Sequence, residues 1–134
     1  MATSKVTYKG QLRTQSVHLK SGNEIITDAP VDNNGKGEAF SPTDTVATAL
    51  ASCMLTIMGI KANGMKVNIE GANAEVTKTM GVEPRRITKI DVVFDLPFSF
   101  DDKTKTILEK AAMTCPVLYS IHPDIKKNVV FNWK

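Results

Sequence analysis

The stretch "FSPTDTVATALASCMLTIMGIKANG", residues 40–64, decides how this chain folds. Ser41 is a good N-cap, Pro42 suits the first helical position, and Asp44 can complete an acidic capping box with Ser41. The Asn-Gly pair at the end of the stretch is a stop signal. The sequence therefore predicts one long helix that begins after Ser41 and ends at that pair.

The interior of this predicted helix carries no charge over sixteen residues, 45–60, and has Cys53 near its centre. Its apolar residues surround the helix on nearly every side, which indicates a core or interface position. The uncharged run is shorter than the roughly 20 residues that a membrane span needs, and Thr and Ser dilute it. We therefore expect no membrane span and no membrane partner.

Length and composition place the chain among ordinary globular proteins. Its 134 residues suit one domain, 1–134, with 42% apolar and 23% charged residues. The net charge of +3 comes from lysines spread along the chain, so no nucleic-acid partner is expected. The first ten residues lack the apolar core of a signal peptide, which predicts a cytoplasmic protein. In that compartment two cysteines favour transient redox chemistry or burial over a permanent disulfide.

Strand patterns flank the helix on both sides. Segments 5–19 (strand, bend, strand) and 23–31 precede it, and 66–80, 85–98 and the C-terminal "IKKNVVFNWK" follow. In 85–98 the residues Ile90, Val92, Phe94 and Leu96 alternate with others and form one apolar face.

Ser99 and Asp102 are expected to open a second helix, which carries apolar residues at helical spacing as far as Cys115. Pro116 interrupts it. The element order predicts an α+β fold in which two helices pack on a mainly antiparallel sheet.

The two cysteines lie 62 residues apart, at Cys53 and Cys115, so neither a Cys-x-x-Cys redox motif nor a zinc motif is present. His18 and His122 stand at no ligand spacing, and no metal or cofactor is expected. Burial of both cysteines as small apolar residues stays open. If Pro116 opens a short helix, Cys115 is its N-cap; otherwise Cys115 lies at a helix end.

A reactive Cys53 needs a nearby cation, because the helix dipole is weak in mid-helix and burial makes a thiol inert. Arginine is suited to that role, since it stays charged when desolvated. The chain has only three arginines, Arg13, Arg85 and Arg86. Asp44 precedes Cys53 by nine residues, about 13 Å along a straight helix and half a turn around it. Either a long arginine bridges this gap or two subunits contribute, which favours a dimer.

The residues 40–64 followed by "AAMTCPVLYSIHPDI" resemble the OsmC/Ohr family, named for osmotically inducible protein C and organic hydroperoxide resistance protein. Members carry a helix of the form S-P-x-E-L-hydrophobic-A-A-L-x-x-C and a second cysteine followed by proline some sixty residues later. The resemblance covers essentially the whole chain. The loop "TDAPVDNNGKGEAFSP" is similar to an OsmC-like subgroup.

The resemblance implies an intertwined homodimer with two interface sites and thiol-dependent reduction of organic hydroperoxides in a stress response, with a small dithiol or lipoyl-type reductant. By position, Cys53 would be the peroxidatic thiol, Cys115 the resolving thiol and Arg13 the activating cation. The family's glutamate position falls on Thr43 or Asp44. Asp44 would therefore be the acid that holds the arginine, with Glu38 as a substitute.

Other functions remain open for the same sequence. One is a non-enzymatic OsmC-like protein that binds a small ligand while both cysteines stay buried. Another is a structural protein whose apolar helix only dimerises. A third is thiol transfer on small sulfur compounds.

Overall fold

A computed structural model describes residues 1–134, which form two compact units, residues 1–46 and 47–134. That the whole chain is one domain stays a prediction. The elements in chain order are β1 (Ser4–Gly10), β2 (Arg13–His18), β3 (Glu24–Asp28), α1 (Pro42–Gly64), β4 (Asn73–Gly81), β5 (Arg86–Leu96), α2 (Asp102–Ala112), α3 (Pro116–Ser120) and β6 (Lys126–Trp133).

The α+β fold class is confirmed, but the strands form two sheets of three rather than one. The first sheet, β1-β2-β3, is antiparallel throughout. In the second sheet β4 and β5 are antiparallel, whereas β5 and β6 are parallel. The connection between β5 and β6 contains α2 and α3, and a crossover of this kind is what a parallel pair requires. The strand pairing is thus mainly antiparallel, as predicted.

The first unit has the strand–bend–strand start that the sequence predicts. The bend holds three consecutive residues with positive φ, Gly10 at 88°, Gln11 at 54° and Leu12 at 62°. No apolar side chain among residues 1–46 is buried; the buried side chains of this unit are the polar Thr27, Asp28 and Ser41. The sheet therefore has no apolar core of its own.

The start of α1 shows the predicted acidic capping box. The backbone N–H of Asp44 donates to the Ser41 hydroxyl at 3.0 Å, and the backbone N–H of Ser41 donates to Asp44 Oδ2 at 2.9 Å. Two N–H groups at the helix start are satisfied in this way. The helix then runs to Gly64, the predicted end.

The second unit has a well-defined apolar core. The alternating face of β5 is confirmed, because Ile90, Val92, Phe94 and Leu96 are all fully buried. Leu108 and Ala112 of α2 join them, together with a stripe of α1 at helical spacing: Ala47, Leu50, Ala51, Met54, Met58 and Ala62. The ring of Phe94 also stacks on Phe131 of β6, with centroids 5.1 Å apart.

Within a single chain α1 is buried along one stripe rather than on every side. Val46 and Ile60 are exposed, and Cys53 and Leu55 are half-buried. By length and composition alone α1 could cross a membrane, but a core helix of a soluble protein passes the same test. That α1 is central to a dimer stays a prediction.

Two boundaries differ from the sequence prediction. Helix α2 begins at Asp102, as predicted, with Asp101 rather than Ser99 as its side-chain cap, but it ends at Ala112 before reaching Cys115. Proline at the first helical position then opens the five-residue α3. Residues 66–72 are not a strand, because Lys66 and Gly71 have positive φ, 59° and 96°, which interrupts an extended backbone.

Candidate functional site

Cys53 lies in the middle of α1, as predicted, and is half-buried, so its thiol is not sealed inside the core. Its neighbour Met54 points into the core and is fully buried. Both cysteines are free thiols in this structure.

Cys115 is fully buried and occupies the N-cap of α3. Its Sγ accepts a hydrogen bond from the backbone N–H of Leu118 at 3.3 Å. Of the two arrangements open at the sequence level, the structure has the one in which Pro116 begins a new helix. The thiol therefore replaces the Ser, Thr, Asp or Asn oxygen that usually caps a helix.

The structure brings the two thiols together. Burial raises the pKa of Cys115, the backbone N–H of Leu118 opposes this effect, and the neighbouring Cys53 thiol raises the pKa further. A thiol held in its protonated form beside a second, more exposed thiol suits a resolving role better than that of first nucleophile. The pair lies within residues 47–134.

Arg13 is the centre of a second cluster, within residues 1–46. Its Nε donates to Asp28 Oδ1 at 2.7 Å and its Nη2 donates to Asp28 Oδ2 at 2.9 Å. The Asp28 side chain is only 1% exposed, whereas that of Arg13 is 33% exposed. Glu38 Oε1 lies 3.6 Å from Nη2 on a side chain that is 64% exposed. The arrangement is a bidentate ion pair with one weaker, solvated neighbour.

The charges in this cluster stabilise each other. The hydrogen bonds from Arg13 lower the pKa of Asp28, which its own burial would otherwise raise. The backbone N–H of Glu38 and the positive charge of Lys36 lower it further. In turn, the hydrogen bonds to Asp28 raise the pKa of Arg13. Asp28 is therefore ionised at neutral pH despite its burial.

Asp28 is the one cluster residue that the sequence did not single out. Asp44 or Glu38 was the expected acid beside the arginine. Asp28 makes the bidentate contact, Glu38 is a weaker neighbour at 3.6 Å, and the Asp44 carboxylate accepts the Ser41 N–H in the capping box. The register of the β2–β3 hairpin is the signal that identifies Asp28. The N–H of His18 donates to the Asn23 carbonyl at the turn, and counting back along both strands from this bond sets Arg13 opposite Asp28.

An apolar groove of about 420 Å³ runs between α1 and α2. Ile57, Ile60, Ile107 and Ala111 form its apolar lining, and Lys61, Lys110 and Thr114 complete it. Of the four residues that stand near the thiols in sequence, Met54 and Met58 are fully buried core residues, Leu55 is half-buried and Met113 is exposed.

No group of three or more His, Cys, Asp or Glu side chains is arranged to hold a metal ion. The two histidines have structural contacts instead. His18 Nδ1 hydrogen-bonds the Ser21 hydroxyl at 2.6 Å, and His122 Nδ1 accepts the backbone N–H of Asp124 at 3.0 Å in the turn before β6.

The comparisons with known proteins agree with this architecture. The family model described as "OsmC-like protein" matches residues 35–130. A crystal structure from Psychrobacter arcticus 273-4, whose name places it in an osmotic stress induced and detoxification response, is 59% identical, with a TM-score of 0.96 over 98% of this chain and 96% of that one. No match is found among the curated proteins.

More distant structures share the fold alone. An organic hydroperoxide resistance protein OsmC from Legionella pneumophila is 15% identical, with a TM-score of 0.75 over 98% of each chain. A Vibrio cholerae protein named for organic hydroperoxide resistance, with captopril bound in one of its active sites, is 17% identical. It superimposes with a TM-score of 0.74 over 98% of this chain and 92% of that one.

Proposed function

Because the chain belongs to the OsmC-like family, as its sequence resemblance indicated, we propose that it is a thiol-dependent peroxidase that reduces organic hydroperoxides. The observation that carries the proposal is the interaction between the half-buried Cys53 thiol and the buried Cys115 thiol. The presence of organic hydroperoxide resistance proteins among the fold neighbours supports it.

In the first step the Cys53 thiolate attacks the distal oxygen of the hydroperoxide ROOH. The S–O bond forms as the O–O bond breaks, so sulfur is oxidised by two electrons and the peroxide is reduced. The leaving alkoxide takes a proton and departs as the alcohol ROH. Cys53 is left as a sulfenic acid.

In the second step the sulfur of Cys115 attacks the sulfenic sulfur of Cys53. An S–S bond forms, the S–OH bond breaks, and the hydroxyl leaves as water with the proton of the Cys115 thiol. Burial raises the pKa of Cys115, which favours the protonated thiol before this step. A small dithiol, such as a lipoyl-type group, then restores both thiols by exchange and becomes a cyclic disulfide.

Arg13 is proposed as the activating cation of this reaction. The guanidinium stays charged under desolvation, and its donors can bind a peroxide oxygen. The proposed catalytic residues are thus Cys53, Cys115 and Arg13. A catalytic role for Asp44 stays a prediction, because its contact with Ser41 already accounts for its presence at the helix start.

We further propose that the enzyme is a homodimer that works in the cytoplasm, and the exposed first sheet supports the dimer. Val6 and Tyr8 of β1 and Ile25 of β3 are each about 60% exposed. Their pairings, with Ser16, Thr14 and again Ser16, place all three on one face of the sheet. No other part of the chain covers this apolar face of the sheet, and a second copy of the chain would bury it in a dimer.

Sedimentation of Val6→Lys beside Thr7→Lys tests the dimer, because the two positions are neighbours on opposite faces of β1. The wild type and Thr7→Lys are expected at twice the chain mass, and Val6→Lys at the monomer mass. A wild-type monomer at micromolar concentration would contradict the dimer.

Mass spectrometry after one equivalent of cumene hydroperoxide tests the peroxidase. A Cys53–Cys115 disulfide is expected within seconds in the wild type, and none in Cys53→Ser. Persistence of both free thiols would overturn the proposal in favour of a non-enzymatic ligand-binding or structural protein with buried cysteines.

A further inference from the structure

We propose that Asp28 is the residue that positions Arg13 for the reaction, in the place of the helix acid that the family pattern leads one to expect. It holds the guanidinium along the Nε–Nη2 edge and leaves the Nη1 edge free to bind a peroxide oxygen. The inference rests on the proposed peroxidase function and deepens it.

The contact between the two side chains fixes the orientation of the guanidinium. Arg13 Nε and Nη2 donate to the two carboxylate oxygens of Asp28 at 2.7 and 2.9 Å. Two parallel hydrogen bonds to a planar fork set both its position and its plane, which a single contact would not do. Nη1 has no hydrogen-bond partner in the chain. Its two N–H donors therefore remain for another group.

The backbone around Asp28 holds the carboxylate in place. Arg13 and Asp28 are direct cross-strand partners in β2 and β3. The N–H of Asp28 donates to the Phe40 carbonyl and that of Ala29 donates to the Leu12 carbonyl, both at 3.0 Å. The pair is thus tied to the bend before β2 and to the segment that leads into α1.

A close backbone approach supports the same segment. The Gly35 N–H donates to the Pro30 carbonyl at 2.9 Å. A Cβ at Gly35 would stand 1.7 Å from the Ala29 carbonyl oxygen, so only glycine fits at this position. The loop that follows Asp28 is therefore packed against the end of β3.

The two other carboxylates are poor substitutes for Asp28. Asp44 accepts the Ser41 N–H and completes the helix cap. Glu38 approaches Arg13 only to 3.6 Å and is mostly in solvent, where such a contact is screened. Asp28 is the acid that combines bidentate geometry with burial. The sequence has no glutamate at the family's glutamate position on the helix, and Asp28 on β3 takes over the contact with the arginine.

The test compares three variants of the full-length protein, each of which replaces one carboxylate by its amide: Asp28→Asn, Glu38→Gln and Asp44→Asn. The rate constant kcat/KM with cumene hydroperoxide is measured from pH 5 to 9, with urea unfolding of each variant alongside. Asp28→Asn is expected to lose on the order of tenfold to hundredfold in kcat/KM and to change the pH profile, because a misplaced catalytic group costs about that much. Glu38→Gln is the control and is expected to stay within about twofold of the wild type, whereas Asp44→Asn measures what the helix acid contributes.

The variant Asp28→Glu shows whether the position of the carboxylate matters or only its negative charge. It also replaces Asp28→Asn in the test if that variant fails to fold. It keeps the negative charge but moves the carboxylate by one methylene. A positioning role predicts a loss of about tenfold in this variant too, whereas a purely structural role predicts wild-type turnover. The Arg13 Nε–H is expected to exchange slowly with water in the wild type and in Glu38→Gln, and faster in Asp28→Asn, as read from its NMR signal.

Each outcome decides a stated question. An active wild type with an equally active Asp28→Asn or Asp28→Glu overturns this inference and leaves the peroxidase intact. Equal losses in all three amide variants overturn it as well. A wild type that forms no disulfide with hydroperoxide overturns the proposed function and this inference with it.

Discussion

The sulfur of Cys115 accepts the backbone N–H of Leu118 at 3.3 Å and so begins α3 while it interacts with the Cys53 thiol. A residue that caps a helix is held in one place by the backbone that it satisfies. The buried thiol is thus presented from a fixed position, with a five-residue helix behind it.

Cys115→Ser is expected to keep the cap and to stop the catalytic cycle after its first step. Serine is a good N-cap residue, so α3 should still form. With peroxide, Cys53 should remain a sulfenic acid that dimedone traps, as read by mass spectrometry. Cys53→Ser should give no adduct. Wild-type turnover in Cys115→Ser with a dithiol reductant would contradict a resolving role.

Stability is expected to fall in the alkaline range because of Cys115. Burial raises its pKa above the ordinary 9.0, so the unfolded chain loses this proton first as pH rises. The contribution is fully present below pH 9.0 and is lost as pH rises through the folded-state pKa, with a slope of at most about 1.4 kcal/mol per pH unit.

Urea unfolding from pH 7 to 10 measures this dependence in the wild type and in Cys115→Ser. Other groups titrate in the same range and contribute to both proteins, so the difference between the two curves isolates Cys115. Parallel curves would show that its ionisation is not coupled to folding.

Stability is expected to fall in acid because of Asp28. The bonds from Arg13 lower its pKa below the ordinary 3.8, so the unfolded chain binds this proton first as pH falls. The contribution is present above pH 3.8 and is lost as pH falls through the lower, folded-state pKa. Thermal unfolding from pH 2 to 6 should show a shallower acid limb in Asp28→Asn than in the wild type. Glu38→Gln, whose side chain is mostly exposed, should follow the wild type.

Ser41→Ala is expected to destabilise the protein by roughly 1–2 kcal/mol, the upper part of the range for a lost N-cap. Ser41 is buried, so its loss leaves the Asp44 N–H without its hydroxyl acceptor. Asp101→Ala removes the exposed cap of α2, where water can replace the carboxylate, and should cost about 0.5–1 kcal/mol. Urea unfolding of the two variants gives the comparison. An equal cost in both would mean that burial of the cap adds nothing.

Local patterns in the sequence predicted the elements that depend on nearby residues. The capping box of Ser41 and Asp44, the end of α1 at Gly64 and the buried face of β5 are all present. The end of α2 was predicted wrongly because two sequence signals in this segment conflict. The helical spacing of apolar residues up to Cys115 suggested a longer α2, but proline at the start of α3 divides this segment.

The sequence by itself determined the α+β class, the long helix with its thiol, and the family, because caps, periodicity and motif spacing can be read along the chain without knowing which distant residues meet. Only the tertiary structure decided that Asp28 meets Arg13 and that Cys115 meets Cys53. Both contacts join residues far apart in the chain, and such contacts depend on strand register and packing, which no local pattern encodes.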